Sequence, residues 1–343
     1  MKDIRKTAAN APAVDLGNSL FGSATVPEPD RERQQARAKL ILAGMKAVGY
    51  QALVVGDRDL ALGLPFLQDA AREAGVALYS ANLTDAAGKP VFPGHLTFQA
   101  GPLHVCAVAL SPQGNLGPTV QSQDPAAAAQ RELAAFGAEP CDVKLLLADL
   151  PRQQLEDVLK KAPGFDLAAS AHDGWQSDPQ AVDGVPVVTA GQRGRIVERL
   201  DIVRNDGKGA FSDLGAITRQ ADELSRIQKQ ILDLGRQIET AKEPLKKVLT
   251  NRLEAVTKRK ADLEKTVATA VDPPRSFRTS FVTLDPQVAD DAEIKKAADA
   301  FSAKYPEPPP PKPIARPMFP GARPPLMPVP PKTAPPPKTA QAR

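Results

Sequence analysis

Short apolar runs alternate with amphipathic stretches through the first two hundred residues of this chain. Apolar residues at helical spacing predict helices over residues 34–48, 63–74, 126–136 and 152–161. Apolar or alternating runs predict strands over residues 13–16, 53–55, 76–79, 96–100, 105–110, 143–148, 165–170, 185–190 and 194–202. Strands that alternate with helices and then pair in hairpins indicate a mixed α/β sandwich whose sheets are covered by helices.

The apolar period changes from Ile217 onwards. Five apolar residues then follow at spacings of three and four, which is the heptad pattern: Leu224, Ile227, Ile231, Leu234 and Ile238. Pro244 interrupts this pattern, and because a proline inside a helix costs about 3 kcal/mol, a second helix should begin after it. We expect residues 217–271 to form an antiparallel helical hairpin, and a coiled coil between two chains is the alternative.

The segments on either side of these two regions have weaker patterns. We expect an unstructured start over residues 1–12, one domain over residues 13–205 and a linker over residues 206–216. After the hairpin, residues 272–305 combine a run of β-branched and aromatic residues with a short amphipathic stretch. That combination predicts a returning strand followed by a short helix.

Residues 306–343 differ in composition from the rest of the chain. They contain 16 prolines in 38 residues, and six Lys or Arg against one acidic residue. Such a segment cannot bury a core, so we predict a disordered, basic, Pro-rich tail in extended polyproline conformation. Pro-x-x-Pro spacing permits recognition by SH3-type modules. We therefore expect a protein partner to bind the tail or the helical hairpin, and a simple linker is the alternative reading of the tail.

Charge and apolar content exclude two further kinds of protein. The net charge is +4 over 343 residues and the tail accounts for it, so the folded part lacks the basic surplus of a nucleic-acid-binding domain. No run of about 18 apolar residues is present, so we expect no transmembrane span. Cys106 and Cys141 form no Cys-x-x-Cys pair and lie in or beside predicted buried strands, which favours two packed free thiols.

The stretch Gly56-Asp57-Arg58-Asp59 follows a buried apolar strand and precedes a predicted helix. Together with Met45 and Gly49-Tyr50 before it and Ser80-Ala81-Asn82 after it, it resembles the 5'-nucleotidase branch of the calcineurin-like metallophosphoesterases. That branch has the frame M-x-x-x-G-Y-D-A-x-x-x-G-N-H-E-F-D-x-G, followed by L-S-A-N. The resemblance implies a four-layer αββα sandwich over residues 13–205, a divalent metal site and an exported or periplasmic protein, although the first ten residues lack the apolar core of a signal peptide.

The same resemblance implies which positions would form the site. Asn18 stands where the family has the aspartate that bridges two metals. Asp57 stands at a metal-binding asparagine, and Arg58 stands where the family has the histidine that protonates the leaving group. His172 keeps the first histidine of a Gly-His-x-His motif, and Asp149 ends the strand that carries a Ser-His motif in the family. The metal-ligand candidates are therefore Asn18, Asp57, Asp149 and His172.

The replaced residues change the chemistry that this site can perform. Asn18 brings an amide where a negative charge is needed to bridge two cations, and Arg58 is a permanent cation that cannot protonate a leaving group. The chain has only three histidines. We therefore expect a noncatalytic scaffold or binding protein without a cofactor. The alternative is a weak phosphoesterase with an altered site for one Mn²⁺, Mg²⁺ or Zn²⁺. Arg58 could neutralise the neighbouring carboxylates, or bind an anion such as phosphate with Arg193 and Arg195.

Overall fold

A computed structural model describes residues 2–8, 10–114, 116–137, 140–172, 178–191, 194–204, 209–268, 273–286 and 288–306. Residues 1–305 form one unit of the chain and residues 306–343 form the other. The predicted Pro-rich tail therefore lies almost entirely outside the described residues.

The chain opens with a short helix, α1 (Lys2–Thr7). The prediction of an unstructured start is wrong for these residues. Arg5 of α1 donates a hydrogen bond of 3.3 Å to the backbone oxygen of Gly49, 44 residues further along the chain. The sequence pattern could not reveal this contact because it depends on a neighbour that is distant in the chain.

A three-stranded parallel sheet follows, with the order β1 (Ala13–Asp15), β2 (Tyr50–Val54) and β3 (Leu78–Tyr79). Helix α2 (Arg31–Val48) connects β1 to β2, and helix α3 (Leu64–Ala74) connects β2 to β3. Both helices end at glycines with left-handed backbones, Gly49 and Gly75. Only glycine adopts that conformation without strain, so these residues fix where each helix ends and the next strand begins.

The second sheet has six strands in a mixed arrangement. In chain order they are β5 (His95–Ala100), β6 (Leu103–Leu110), β8 (Val143–Ala148), β9 (Leu167–Ser170), β10 (Gln180–Val182) and β11 (Val185–Thr189). They lie in the order β10-β11-β9-β8-β6-β5. Its helices are α4 (Pro125–Phe136) and α5 (Arg152–Lys161), and a small two-stranded ribbon is formed by β4 (Leu83–Thr84) and β7 (Gln121–Ser122).

The alternation of side chains along single strands produces four layers. On and just after β2, Val55 packs in the cluster under α2 and α3, whereas Val54 packs in the cluster between the two sheets. On β8, Leu147 belongs to that same central cluster, and Leu146 packs under α4 and α5. Successive residues of a strand point to opposite faces, so two helix-covered sheets stack as the αββα sandwich that the sequence predicts.

The C-terminal part adds a third sheet and a pair of long helices. Its elements are β12 (Ile196–Arg204), β13 (Ser212–Asp213), α6 (Leu214–Thr240), α7 (Leu245–Ala268), β14 (Arg275–Thr283) and α8 (Ala292–Lys304). β14 pairs antiparallel with all of β12 and parallel with β13, so it is the returning strand expected within residues 272–305. Helix α6 begins at Leu214, inside the predicted linker, where Asp213 caps its first turn by accepting from the backbone of Gly215.

Helices α6 and α7 form a hairpin within one chain. The break between them covers residues 241–244 and includes Pro244, as the sequence predicts. Ile227 and Leu234 of α6 and Leu249 of α7 are buried. No helix among the described residues combines the length and the apolar content needed to cross a membrane.

Cys106 and Cys141 form a disulfide, with Cα atoms 5.6 Å apart. The prediction of two packed free thiols is therefore wrong. Cys106 lies on β6, and Cys141 lies two residues before β8, the strand that pairs with β6. The two residues are 35 positions apart in the chain, so only the pairing of these strands brings them together.

Candidate functional site

The carboxyl ends of four strands meet at one edge of the sandwich and carry the candidate residues. Asp15 ends β1, Asp57 and Arg58 follow β2, Asp149 follows β8, and His172 follows β9. Ligands of open α/β sheets bind at the carboxyl ends of the strands, so this edge is the expected place for a functional site. The structure thus brings together the neighbourhoods of all the site residues that the sequence predicts.

Asn18 is at the centre of this edge. Its Nδ2 donates to Oδ2 of Asp149 over 2.5 Å, and its Oδ1 accepts from the backbone N–H of Arg58 over 2.8 Å. Its backbone has a φ of 60°, in the left-handed region that asparagine tolerates better than most residues. The amide therefore connects the loops that follow β1, β2 and β8.

Asp59 anchors the same loops through their backbones. Its carboxylate accepts hydrogen bonds from the N–H groups of Asn18, Leu20 and Gly56, at 2.8, 3.0 and 2.9 Å. The side chain is fully buried, and burial raises its pKa to about 7 although these three donors oppose the shift. The sequence indicates Asp59 only as a possible ion-pair partner of Arg58, not as an anchor of these loops. Its one signal is a carboxylate directly after a buried strand.

Asp149 and His172 form a hydrogen-bonded pair. Oδ1 of Asp149 lies 3.0 Å from Nδ1 of His172. Asp149 is almost completely buried, whereas the His172 side chain is 27% exposed. Burial raises the pKa of Asp149, and the hydrogen bond from His172 opposes that shift. The pair therefore has an inner carboxylate and an outer imidazole.

Asp15 is a further carboxylate of this edge that sequence reasoning missed. Its oxygens accept from the hydroxyl of Ser19 at 2.8 Å and from the backbone N–H of Gly17 at 2.9 Å. Burial raises the pKa of Asp15, with a smaller contribution from the charge of Asp149. Asp15 thus fixes the turn that presents Asn18.

Two glycines allow the loops to approach one another. A Cβ on Gly17, whose φ is 101°, would lie 3.0 Å from the backbone oxygen of Val54. A Cβ on Gly56 would lie 2.6 Å from Oδ2 of Asp149 and would also clash with Asn18. The separation at Gly56 is too short for any Cβ, and the positive φ of Gly17 would strain any other residue, so the hydrogen bonds of Asn18 require glycine at both positions.

Next to the site, the Ser80-Ala81-Asn82 frame forms a buried polar network. The hydroxyl of Ser111 lies 2.7 Å from that of Ser80 and donates to the backbone oxygen of Val55. The side chain of Asn82 donates to the backbone oxygen of Ser111 at 2.9 Å and accepts from its N–H at 2.9 Å. Since β2, β3 and β6 all end here, this network fixes their ends relative to one another.

Asp57 and Arg58 lie at the start of a 3₁₀ turn (Arg58–Leu60) that follows β2. Arg58 forms no ion pair with any carboxylate in the described part of the chain, so the expectation that it neutralises Asp57, Asp59 or Asp149 through a direct contact is wrong. Its charge still acts at longer range, because it lowers the pKa of Asp149 while Asp57 raises it. Arg195 is exposed at the start of β12, and Arg193 lies outside the described residues.

Asn18 and Asp149, two of the candidate metal ligands, are hydrogen-bonded to each other. Across the described ranges, no group of three His, Cys, Asp or Glu side chains is close enough together to hold a metal ion. Both oxygens of Asp149 and both polar atoms of the Asn18 side chain take part in hydrogen bonds within the site. The Asn18 amide turns its N–H towards Asp149 and its oxygen towards the Arg58 backbone, so in this arrangement it does not offer the charged oxygen that a bridging ligand needs.

The stacked sheets and the helices that cover them have the αββα arrangement of the metallophosphoesterase fold. The solved structures that this chain is similar to include YfkN, a calcineurin-like phosphoesterase from Bacillus subtilis. The TM-score is 0.57 at 15% identity, over 88% of this chain and 86% of that one. At 15% identity the similarity concerns the fold alone, so it confirms the predicted fold and, at that level, the resemblance.

Two structures from Thermus thermophilus are similar over a smaller share of this chain. The sulfate thiohydrolase SoxB, solved in complex with glycerol, has a TM-score of 0.52 and 18% identity over 59% of this chain. A 5'-nucleotidase precursor has a TM-score of 0.50 and 22% identity over 59% of this chain. The aligned part spans only 38% and 44% of those two proteins. No family model matches this chain, and no curated protein sequence matches it.

Proposed function

We propose that this chain is a metallophosphoesterase-fold protein that acts as a scaffold or binding protein rather than as a metal-dependent hydrolase. The observation that carries the proposal is the hydrogen bonding of Asn18. Its amide joins the carboxylate of Asp149 to the backbone of Arg58, at the position where the resembled family places a metal-bridging aspartate. A bridging ligand must offer a negatively charged oxygen to two cations, and a neutral amide with both polar atoms engaged does not.

Arg58 supports the same proposal. A guanidinium stays protonated at physiological pH, so it cannot donate the proton that a histidine would give to a leaving group. Its positive charge also lies at the edge where the resembled family binds cations, and there it lowers the pKa of Asp149. The protein supplies part of the positive charge from its own side chain, which disfavours a second cation beside it.

A bound anion is the ligand that this chemistry favours. The guanidinium of Arg58 makes no hydrogen bond or ion pair within the described residues, and guanidinium groups bind phosphate through paired N–H donors. We therefore propose that Arg58 binds an anion such as phosphate. Titration of the purified chain with inorganic phosphate, compared with Arg58→Gln, tests this part separately. Equal affinity of the two proteins for phosphate would show that Arg58 does not bind it.

A weak metal-dependent phosphoesterase is the second candidate, and one observation favours it. Metal-binding histidines commonly donate their other ring nitrogen to a carboxylate, which fixes the ring orientation. His172 and Asp149 have this relationship, with 3.0 Å between Nδ1 and Oδ1. In that case, His172 and Asp57 would have to hold a single cation. The similar solved structures are named as phosphoesterases and nucleotidases, so phosphate esters are the substrates to test.

One experiment separates the two candidates. The chain is incubated with Mn²⁺, desalted and analysed for metal, and then assayed with bis(p-nitrophenyl) phosphate. We expect no stoichiometric metal and no Mn²⁺-dependent hydrolysis. The matched variant is Asn18→Asp/Asp57→Asn/Arg58→His, which restores the family's residue types at three positions. Retained metal with hydrolysis by the natural chain would overturn the proposal, whereas metal retained only by the triple variant would support it.

A further inference from the structure

The far end of the α6–α7 hairpin exposes apolar side chains. We call residues 229–252, the segment on both sides of the break, the hairpin tip. Leu232 is 64% exposed, Leu245 is 55% exposed and Val248 is 61% exposed, and these are the three most exposed large apolar side chains among the described residues. Leu245 and Val248 are three positions apart on α7, so they lie on the same face of that helix.

Along the axis of the hairpin, Leu232 of α6 lies at nearly the same level as Val248 of α7. Glu223 of α6 forms an ion pair with Arg259 of α7, which aligns the two antiparallel helices. In that alignment Leu232 is level with Thr250, about 3 Å along the axis from Val248. A Cβ on Gly235, one turn beyond Leu232, would meet no atom of the described residues within 4 Å, so this part of the α6 surface is open.

The hairpin tip is also basic, in contrast to the body of the protein. It contains six Lys or Arg and three Asp or Glu. The residues outside the hairpin (214–268) and the tail (306–343) contain 26 Lys or Arg and 31 Asp or Glu. An anionic surface therefore attracts the tip and repels the body.

We propose that the hairpin tip docks on the surface of a bilayer that contains anionic lipids. Leu232, Leu245 and Val248 enter the boundary between headgroups and acyl chains, and Lys242, Lys246 and Lys247 contact the headgroups. Exposed apolar residues flanked by lysines are the features that hold interfacial helices on anionic membranes.

A protein partner fits this surface less well. A stable protein interface buries roughly 800 Å² on each side. Three aliphatic side chains beside charged ones supply little of the apolar centre that such an interface needs. Binding to a bilayer has no such threshold, because it grows with each apolar residue inserted and each basic residue near the headgroups.

Co-sedimentation with vesicles tests the proposal on the full-length chain. Vesicles of phosphatidylcholine are compared with vesicles of phosphatidylcholine and phosphatidylglycerol. We expect binding only when phosphatidylglycerol is present, and we expect it to weaken as salt is added. The variants Leu245→Ser/Val248→Ser and Lys246→Glu/Lys247→Glu should each weaken binding by roughly tenfold or more.

The control is Arg226→Glu/Lys258→Glu, which makes the same change in charge at exposed positions further from the break. It should bind like the natural chain, and circular dichroism should show equal helix content in all the proteins. No phosphatidylglycerol-dependent binding would overturn the proposal. If the control variant lost as much vesicle binding as the tip variants, the hairpin tip would not be the binding surface. Self-association that only the tip variants abolish would identify a second copy of the chain as the occupant instead.

Discussion

Asn18 and Asp149 are 131 residues apart in the chain, yet the Nδ2 of one donates to the Oδ2 of the other over 2.5 Å. The same amide accepts from the backbone of Arg58. One neutral side chain thus joins three loops that carry acidic groups, where two facing carboxylates without a cation between them would repel each other. Asparagine at position 18 therefore lets hydrogen bonds between protein groups, rather than a bound cation, stabilise the site.

Replacing Asn18 by aspartate should destabilise the protein and make it depend on metal. The new carboxylate would face Asp149, so we expect a loss of roughly 1–3 kcal/mol in the free energy of unfolding. Aspartate tolerates the left-handed backbone of position 18, so the loss would report charge and hydrogen bonding rather than strain. Urea unfolding measures it, and added Mn²⁺ should recover part of it.

Asn18→Gly is the control for this change, because it removes the amide without adding a charge. It should lose stability but gain nothing from Mn²⁺. If Asn18→Asp were as stable as the natural chain in a chelating buffer, the neutral amide of Asn18 would not be what stabilises these loops.

Gly56→Ala should be among the most destabilising single substitutions in this domain. Its Cβ would lie 2.6 Å from Oδ2 of Asp149, and the neighbouring groups are buried and hydrogen-bonded. We expect a loss of about 2 kcal/mol or more, measured by urea unfolding.

Gly44→Ala is the matched control. Gly44 lies inside α2, and a Cβ there would meet nothing within 4 Å. Alanine is preferred over glycine in a helix by about 1 kcal/mol, so this variant should be equally stable or more stable. Similar behaviour of the two variants would contradict the close packing of loops at the site.

Glu198 should make stability depend on pH. Burial raises the pKa of Glu198 from 4.5 to about 7. Because the folded state holds this proton more tightly than the unfolded state, the stability from Glu198 is complete below pH 4.5 and is lost as the pH rises through 7. Glu198→Gln should therefore be more stable than the natural chain at pH 8, by about 2 kcal/mol.

Thermal or urea unfolding at pH 5 and pH 8 measures this difference. The control is Glu254→Gln on the exposed surface of α7, which should change little at either pH. A Glu198→Gln variant that is less stable at pH 8 would indicate that Glu198 is ionised and paired in the folded protein.

The disulfide should be detectable on the denatured, unreduced protein made under oxidising conditions. We expect no thiol to react with an alkylating reagent before reduction and two to react after it, since Cys106 and Cys141 are paired. Removing the bond with Cys106→Ser/Cys141→Ser should cost about 3 kcal/mol, because the bond closes a loop of 35 residues. Two reactive thiols before reduction would restore the free-thiol prediction.

Several elements could be located from the sequence because their signals are local. The heptad pattern and Pro244 placed the two helices of the hairpin, and the apolar alternation placed β5, β6 and β8. Short strands such as β4, β7 and β10 were missed because two or three residues carry no periodicity. The disulfide was missed for another reason, since nothing in the chain marks β6 and β8 as neighbours.

The sequence alone determined the layered fold and the neighbourhood of the site, because side-chain periodicity and a motif frame are properties of adjacent residues. Only the tertiary structure decided which polar atoms meet there. Asn18, Asp59 and Asp149 come from separate parts of the chain, and their hydrogen bonds exist because parallel strands bring their carboxyl ends to one edge. The physical reason is that a hydrogen bond depends on distances of a few tenths of an ångström, which only the packed sheets fix.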